Sequence, residues 1–152
     1  MHVRGHWRAW AISALMLAAC VHTPSPRPDF AAAVDNHLAA IKAKDINAFL
    51  PTISATGELD VIFPDGEVLK GYDAVADFHR EWFSDSDWRM APVVEKLIEG
   101  KDLSAALVRY DYRDTPDGAP RSAWLVLVFR LEDGAWRLVH DQNTRIQPPE
   151  AE

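Results

Sequence analysis

Apolar positions between residues 29 and 146 change their period once, and the change splits the chain into a helical part and a strand part. Phe30, Val34, Leu38 and Ile41 recur at steps of three and four with alanines between them. This predicts a helix over 30–43 with Asp29 as its N-cap. Lys44-Asp45 breaks the pattern and offers a second N-cap; Ile46, Phe49 and Leu50 then predict a short helix ended by Pro51. Leu59, Val61 and Phe63 alternate as a strand, stopped by the turn residues Pro64-Asp65-Gly66. After Gly71 and Asp73, a third helix gathers Val75, Phe78, His79 and Trp82 on one face. Alternation then takes over, predicting strands at 93–99, 105–113, 123–131 and 136–144 with Gly- and Asp-containing turns between them. The nearly unbroken apolar run 123–131 predicts a central strand. Helices followed by hairpin-linked strands give an α+β class, with helices packed on one sheet face.

Upstream of this domain the pattern is different. Arg4 and Arg8 precede an apolar run from Ala9 to Ala19, interrupted only by Ser13 and ending in Leu17-Ala18-Ala19-Cys20. The run is shorter than the roughly 20 apolar residues a membrane-spanning helix needs. It reads as a secretory signal segment over 1–19 with a small-residue cleavage site. Leu-Ala-Ala-Cys also resembles a bacterial lipobox, which implies lipidation of Cys20, the only cysteine in the chain. Several acyl chains at about 0.8 kcal/mol per buried methylene would anchor it stably. Val21, in the place where an Asp signals inner-membrane retention, implies the outer membrane of a Gram-negative envelope, facing the periplasm. Residues 20–28, with prolines at 24, 26 and 28, form an extended tether, and 147–152 a disordered tail.

Composition narrows the partners. The formal charge is −7. Loss of residues 1–19, which carry two arginines and no acid, takes it to −9 over the remaining 133 residues. That size suits one domain with one core. The acidity argues against nucleic acid as a partner. With one cysteine there is no internal disulfide. No P-loop or Gly-x-Gly-x-x-Gly motif occurs, so no nucleotide cofactor is expected.

Three local signatures carry a resemblance. They are Ala-Ile-Lys-Ala-Lys-Asp-Ile-Asn-Ala-Phe-Leu at 40–50, Ile-Phe-Pro-Asp-Gly-Glu-Val-Leu-Lys-Gly at 62–71, and Gly-Ala-Trp-Arg-Leu-Val-His-Asp-Gln-Asn-Thr at 134–144. In order and spacing the chain over 29–146 resembles the nuclear transport factor 2-like superfamily, and its SnoaL-like small domains in particular. The resemblance implies a cone: a curved mixed or antiparallel sheet wrapped around three helices, with a pocket at the open end. It also implies a homodimer paired through the outer sheet face. Function does not follow from such a fold. Where ketosteroid isomerase has its general-base Asp this chain has Phe63, and where that enzyme has its oxyanion-binding Tyr it has His37, so the isomerase reaction does not transfer.

Candidate chemistry falls on polar residues embedded in apolar stripes. His37 lies within the first helical stripe and His79 within the third. Alternation puts Trp136, Leu138, His140 and Gln142 on one strand face, and Tyr110 with Tyr112 on another. Trp82 and Trp124 add aromatic walls. The functional reading makes His79 or His37 a general base or ligand hook near neutral pH, His79 being the candidate base, with His37, Trp82, Tyr110, Trp124, His140 and Gln142 contacting the ligand. The plain reading makes each histidine a hydrogen-bonded core or rim residue. A zinc site from His37, His79 and His140 has no supporting His-x-x-x-His spacing, and no metal is expected.

Three functions remain open: an envelope-anchored domain binding a small apolar or amphipathic molecule, a cofactor-independent acid–base enzyme, and a dimeric interaction module without catalysis. Labelled fatty acid fed to expressing cells should mark the full-length chain and leave Cys20→Ala unmarked; a label that survives the substitution would rule the anchor out.

Overall fold

The computed structural model describes residues 26–147. The predicted signal segment, Cys20, the tether up to Ser25 and the tail from Pro148 lie outside the described residues. Helix α1 spans Phe30–Ala43, and the Asp29 carboxylate accepts from the Ala32 N–H at 3.2 Å. Lys44 ends it in the left-handed region at φ 55°, closing the last carbonyls. Asp45 restarts the chain by accepting from the Asn47 and Ala48 N–H groups, each at 3.0 Å, to cap α2, Ile46–Phe49. The α-helix ends ahead of Pro51 as expected, and the chain continues as a 3-10 turn over Leu50–Thr52, in which the missing N–H of Pro51 costs nothing.

Strand β1 covers Asp60–Ile62 and pairs antiparallel with β2, Val68–Lys70. The apolar pattern does not predict β2, whose short, mostly exposed run shows no alternating apolar face. Gly71, at φ 81°, turns the chain into α3, Tyr72–Ser84. Four long strands follow: β3 Arg89–Ile98, β4 Leu103–Arg113, β5 Arg121–Glu132 and β6 Ala135–Arg145. The sheet order is β2-β1-β6-β5-β4-β3, antiparallel throughout except where β1 runs parallel to β6. The expected α+β class and curved mixed sheet with three helices are therefore present, and β5 is an interior strand as its apolar run predicts.

The core lies between the helices and the inner sheet face. Phe30 meets Phe129 and Trp136 edge-on at centroid distances of 5.7 and 5.3 Å. Trp136 also reaches backwards: its indole N–H donates to the Pro28 carbonyl at 2.9 Å, and the Arg27 guanidinium lies 4.9 Å from its ring centroid. The last residues of the predicted tether are thereby pinned to the domain.

One irregularity decides which side chains reach the interior. Phe129 pairs with Leu138 while Val128 pairs with His140, so Val139 is an extra residue and β6 bulges there. Strict alternation would carry the inner face from Trp136 and Leu138 to His140 and Gln142. The bulge shifts the phase by one, and Asp141, opposite buried Leu127, faces inward instead. His140 and Gln142 share the outer face with Val128 and exposed Val126. Trp124 is also on the outer face, between Arg109 and Thr144, because its neighbours Ala123 and Leu125 are the buried ones.

Phe49, delivered by the capped turn at Asp45, packs against both interior histidines, with centroids 5.2 Å from His37 and 4.0 Å from His79. Phe49→Ala should lower stability by about 3–5 kcal/mol in urea unfolding, the usual cost of emptying a buried aromatic site.

Candidate functional site

A cavity of about 280 Å³ opens between α3 and the inner faces of β4, β5 and β6. Its depth follows from strand register. Buried Val61, Leu125 and Asp141 form the floor, and exposed Pro64, Arg121 and Arg145 mark the mouth. Between these levels the walls are mainly aromatic, from Phe63, Phe78, Trp82 and Tyr112.

Asp141 is the charged group that sequence alternation turns away from this space, and it is 9% exposed. Its oxygen Oδ1 accepts from Asn143 Nδ2 at 2.9 Å. The same amide nitrogen donates to the Ile62 carbonyl at 3.1 Å, and Asn143 Oδ1 accepts from the Tyr110 hydroxyl at 2.8 Å. Both amide hydrogens and the amide oxygen are thus engaged, so Asn143 has one orientation and holds Asp141 and Tyr110 in register. Burial pushes the Asp141 carboxyl up to about 7, against the smaller opposing effect of the Asn143 amide. Burial, reinforced by Asp141, lifts the Tyr110 hydroxyl to about 12, so it keeps its proton.

His79 lines the cavity and belongs electrically to its apolar wall. Nδ1 lies 2.7 Å from the Val75 carbonyl, which can only accept, so the proton sits on Nδ1 and Nε2 carries the lone pair. The ring stacks on Phe49 at 4.0 Å and takes edges from Phe78 at 5.2 Å and Phe83 at 5.4 Å. Burial lowers its pKa to about 4, so it is neutral at pH 7. His37 lies beyond Phe49 and does not line the cavity. Thr52 spends its hydroxyl hydrogen on the Phe49 carbonyl at 2.6 Å and accepts from His37 Nδ1 at 2.7 Å. His37 Nε2 is left buried without a partner, and burial, helped by nearby His79, drives its pKa down to about 3.

Of the side chains expected at the site, His79, Trp82 and Tyr110 come together at the cavity. His37 is core, and Trp124, His140 and Gln142 lie across the sheet, so the three histidines do not converge. Missing from the expectation were Asp141, Asn143, Arg121 and Arg145. The adjacent apolar pair Leu138-Val139 is the one sequence sign of a phase slip in β6.

The aromatic wall continues behind the cavity. Trp82 stacks on buried Trp88 at 4.3 Å, and Trp88 donates to the Trp82 carbonyl at 2.8 Å. Trp82 in turn donates to the Tyr112 hydroxyl at 3.3 Å. Trp82 is therefore held from two sides.

A family model for the SnoaL-like domain matches residues 34–139. No curated protein matches the chain in sequence. Solved structures do. A protein from Thiobacillus denitrificans, assigned as a calcium/calmodulin-dependent protein kinase type II association domain, superposes with TM-score 0.70 at 24% identity, over 80% of this chain and 98% of its own. A ketosteroid isomerase-like protein from Erwinia carotovora atroseptica gives 0.64 at 18% identity, over 78% and 94%. A protein from Streptomyces avermitilis, assigned as a dehydratase of the NTF2-like family, gives 0.67 at 12% identity, over 78% and 94%. At these identities the likeness is one of fold.

The buried groups oppose one another in their pH dependence. His37 and His79 have folded pKa values below the unfolded 6.5, so their contribution is present above pH 6.5 and lost as pH falls towards 4 and 3. Asp141 is raised from 3.8 to about 7, so its contribution is complete below about pH 4 and lost as pH rises through 7. Asp141→Asn keeps an acceptor for Asn143 and cannot ionise. Urea unfolding should show it near wild type at pH 4 and a few kcal/mol more stable at pH 8; an equal gain at both values would contradict the raised carboxyl.

Proposed function

Because the chain belongs to the SnoaL-like domain family, we propose that its cavity binds a small, largely apolar molecule through one polar group met by Asp141. The observation that carries this reading is the buried carboxyl at the floor of an aromatic-walled cavity, held by an amide with no freedom to turn. An apolar cavity with a few oriented polar groups is the usual form of a small-molecule site. At about 280 Å³ it lies just under the lower end of the range for drug-sized ligands, which favours a single ring or a short chain. A cone filled by its own side chains would have favoured an interaction module instead.

Acid–base turnover of the bound molecule is the second reading, and the Asp141 carboxyl favours it. A group that titrates near pH 7 can both give and take a proton at working pH. His79, with its pKa lowered to about 4, is a weaker base there, and the proton-transfer role passes from His79 to Asp141. Covalent anchoring at Cys20 and pairing of two copies through the outer face of β3–β6 complete the proposal, the latter supported by exposed Val93, Ile98, Leu103 and Val126.

Titrating the full chain with monocyclic aromatic ketones and alcohols should give a saturable change in tryptophan fluorescence, since Trp82 lines the cavity. Ala123→Trp, which fills the cavity, should abolish it. Where a ligand is turned over, Asp141→Asn should remove the pH–rate limb near 7 and lower kcat by about 100-fold or more. No saturable response to any compound would overturn the binding reading.

A further inference from the structure

Resting on that reading of the cavity, we propose that its ligand is an organic monocarboxylate, bound with its apolar body inside and its carboxylate at the mouth against Arg145 and Arg121. Register puts the two arginines on the same sheet face, at the neighbouring ends of β5 and β6. Arg145 pairs with Ala123 across β5 and β6, and Arg121, two residues before Ala123, pairs with Tyr112 across β4 and β5. Both line the cavity, and both are exposed there. Their charges oppose the upward push of burial on the Tyr110 hydroxyl, so they act on the cavity interior.

The two arginines differ in what they have already paired with. Arg121 meets Asp114 with both terminal nitrogens, one of them at 2.8 Å, and its guanidinium lies 5.5 Å from the Tyr112 ring centroid. That clamp neutralises Arg121 and fixes its plane. Arg145 has no carboxylate at ion-pair distance among the described residues. The mouth therefore carries about one uncompensated positive charge in a chain whose formal charge is −7. One net charge suits a monoanion better than a phosphate dianion. A planar guanidinium matches a carboxylate with two parallel N–H···O bonds.

Depth sets the rest of the ligand. Asp141 precedes Arg145 by four residues on the same strand, about 13 Å at ~3.3 Å per residue. A molecule that spans this distance meets Arg145 at one end and Asp141 at the other. At about 280 Å³ the cavity lies just under the range for drug-sized ligands, which suits a single ring carrying a short acid chain. An arylalkanoate, or a short-chain acid bearing a distal hydroxyl or carbonyl, has that shape.

Calorimetric titration of the full chain at pH 6.5 with 3-phenylpropanoate and with 3-phenylpropanamide tests the proposal, since the pair differs only in the charged end. The carboxylate should bind at least tenfold tighter than the amide. Arg145→Gln should erase that preference without weakening the amide, and Arg145→Lys should restore part of it. Equal binding of both compounds, unaffected by Arg145→Gln, would overturn the anionic ligand and leave the cavity as a site for neutral molecules. Absence of binding by either would overturn the proposal together with the reading on which it rests.

Discussion

The extra residue at Val139 governs which side chains the inner face of the sheet presents to the cavity. Before it, β6 buries Trp136 and Leu138 against the helices; after it, the same face presents Asp141 and Asn143. A straight strand would bring His140 and Gln142 inward and leave Asp141 in solvent as an ordinary carboxylate. The bulge thus joins two different surfaces on one strand, an apolar one under α1 and a polar one under α3. The Asn143 amide then ties this second half to β1 through Ile62 and to β4 through Tyr110. A local change of one residue in register sets the chemistry of the cavity.

The interior is built to exclude charge. His37, His79 and Asp141 are each desolvated enough to favour their neutral forms over part or all of the neutral pH range. Hydrogen bonding separates their roles. His79 uses its proton on a helix carbonyl, whereas His37 is held by Thr52 and has a nitrogen with nothing to bond. A buried group lacking a partner typically costs about 1–3 kcal/mol. Aromatic packing through Phe49 links the two imidazoles into one layer. Charge appears where water returns, at Arg121 and Arg145.

Local chemistry made most of the fold legible. Asp29 and Asp45 mark helix starts because their side chains compete for free backbone N–H groups, and both do so in the structure. The Pro64-Asp65-Gly66 and Asp133-Gly134 turns likewise sit where their backbone preferences put them, the latter with φ values of 49° and 79°. β2 escaped because three residues at a sheet edge bury too little to leave a pattern. The site was less legible for a different reason. His79, Trp82 and Tyr110 lie on elements whose period is regular, so counting finds their faces. Asp141 lies beyond a bulge, and counting residues through a bulge inverts inside and outside. Arg121 and Arg145 sit at strand ends, where alternation is weakest and only cross-strand register puts them at one cavity.

The contact between Trp136 and the Arg27-Pro28 segment lies at the opposite end of β6 from Arg145, nine residues and about 30 Å along the strand. The domain therefore has a handle and an aperture on opposite poles. Any support coupled through the N-terminal side would present the cavity outward, with diffusion into it unobstructed. A bulky reporter fused just beyond Ile146 would instead hang over the opening. The pinned N-terminal segment and the cavity mouth face opposite ways.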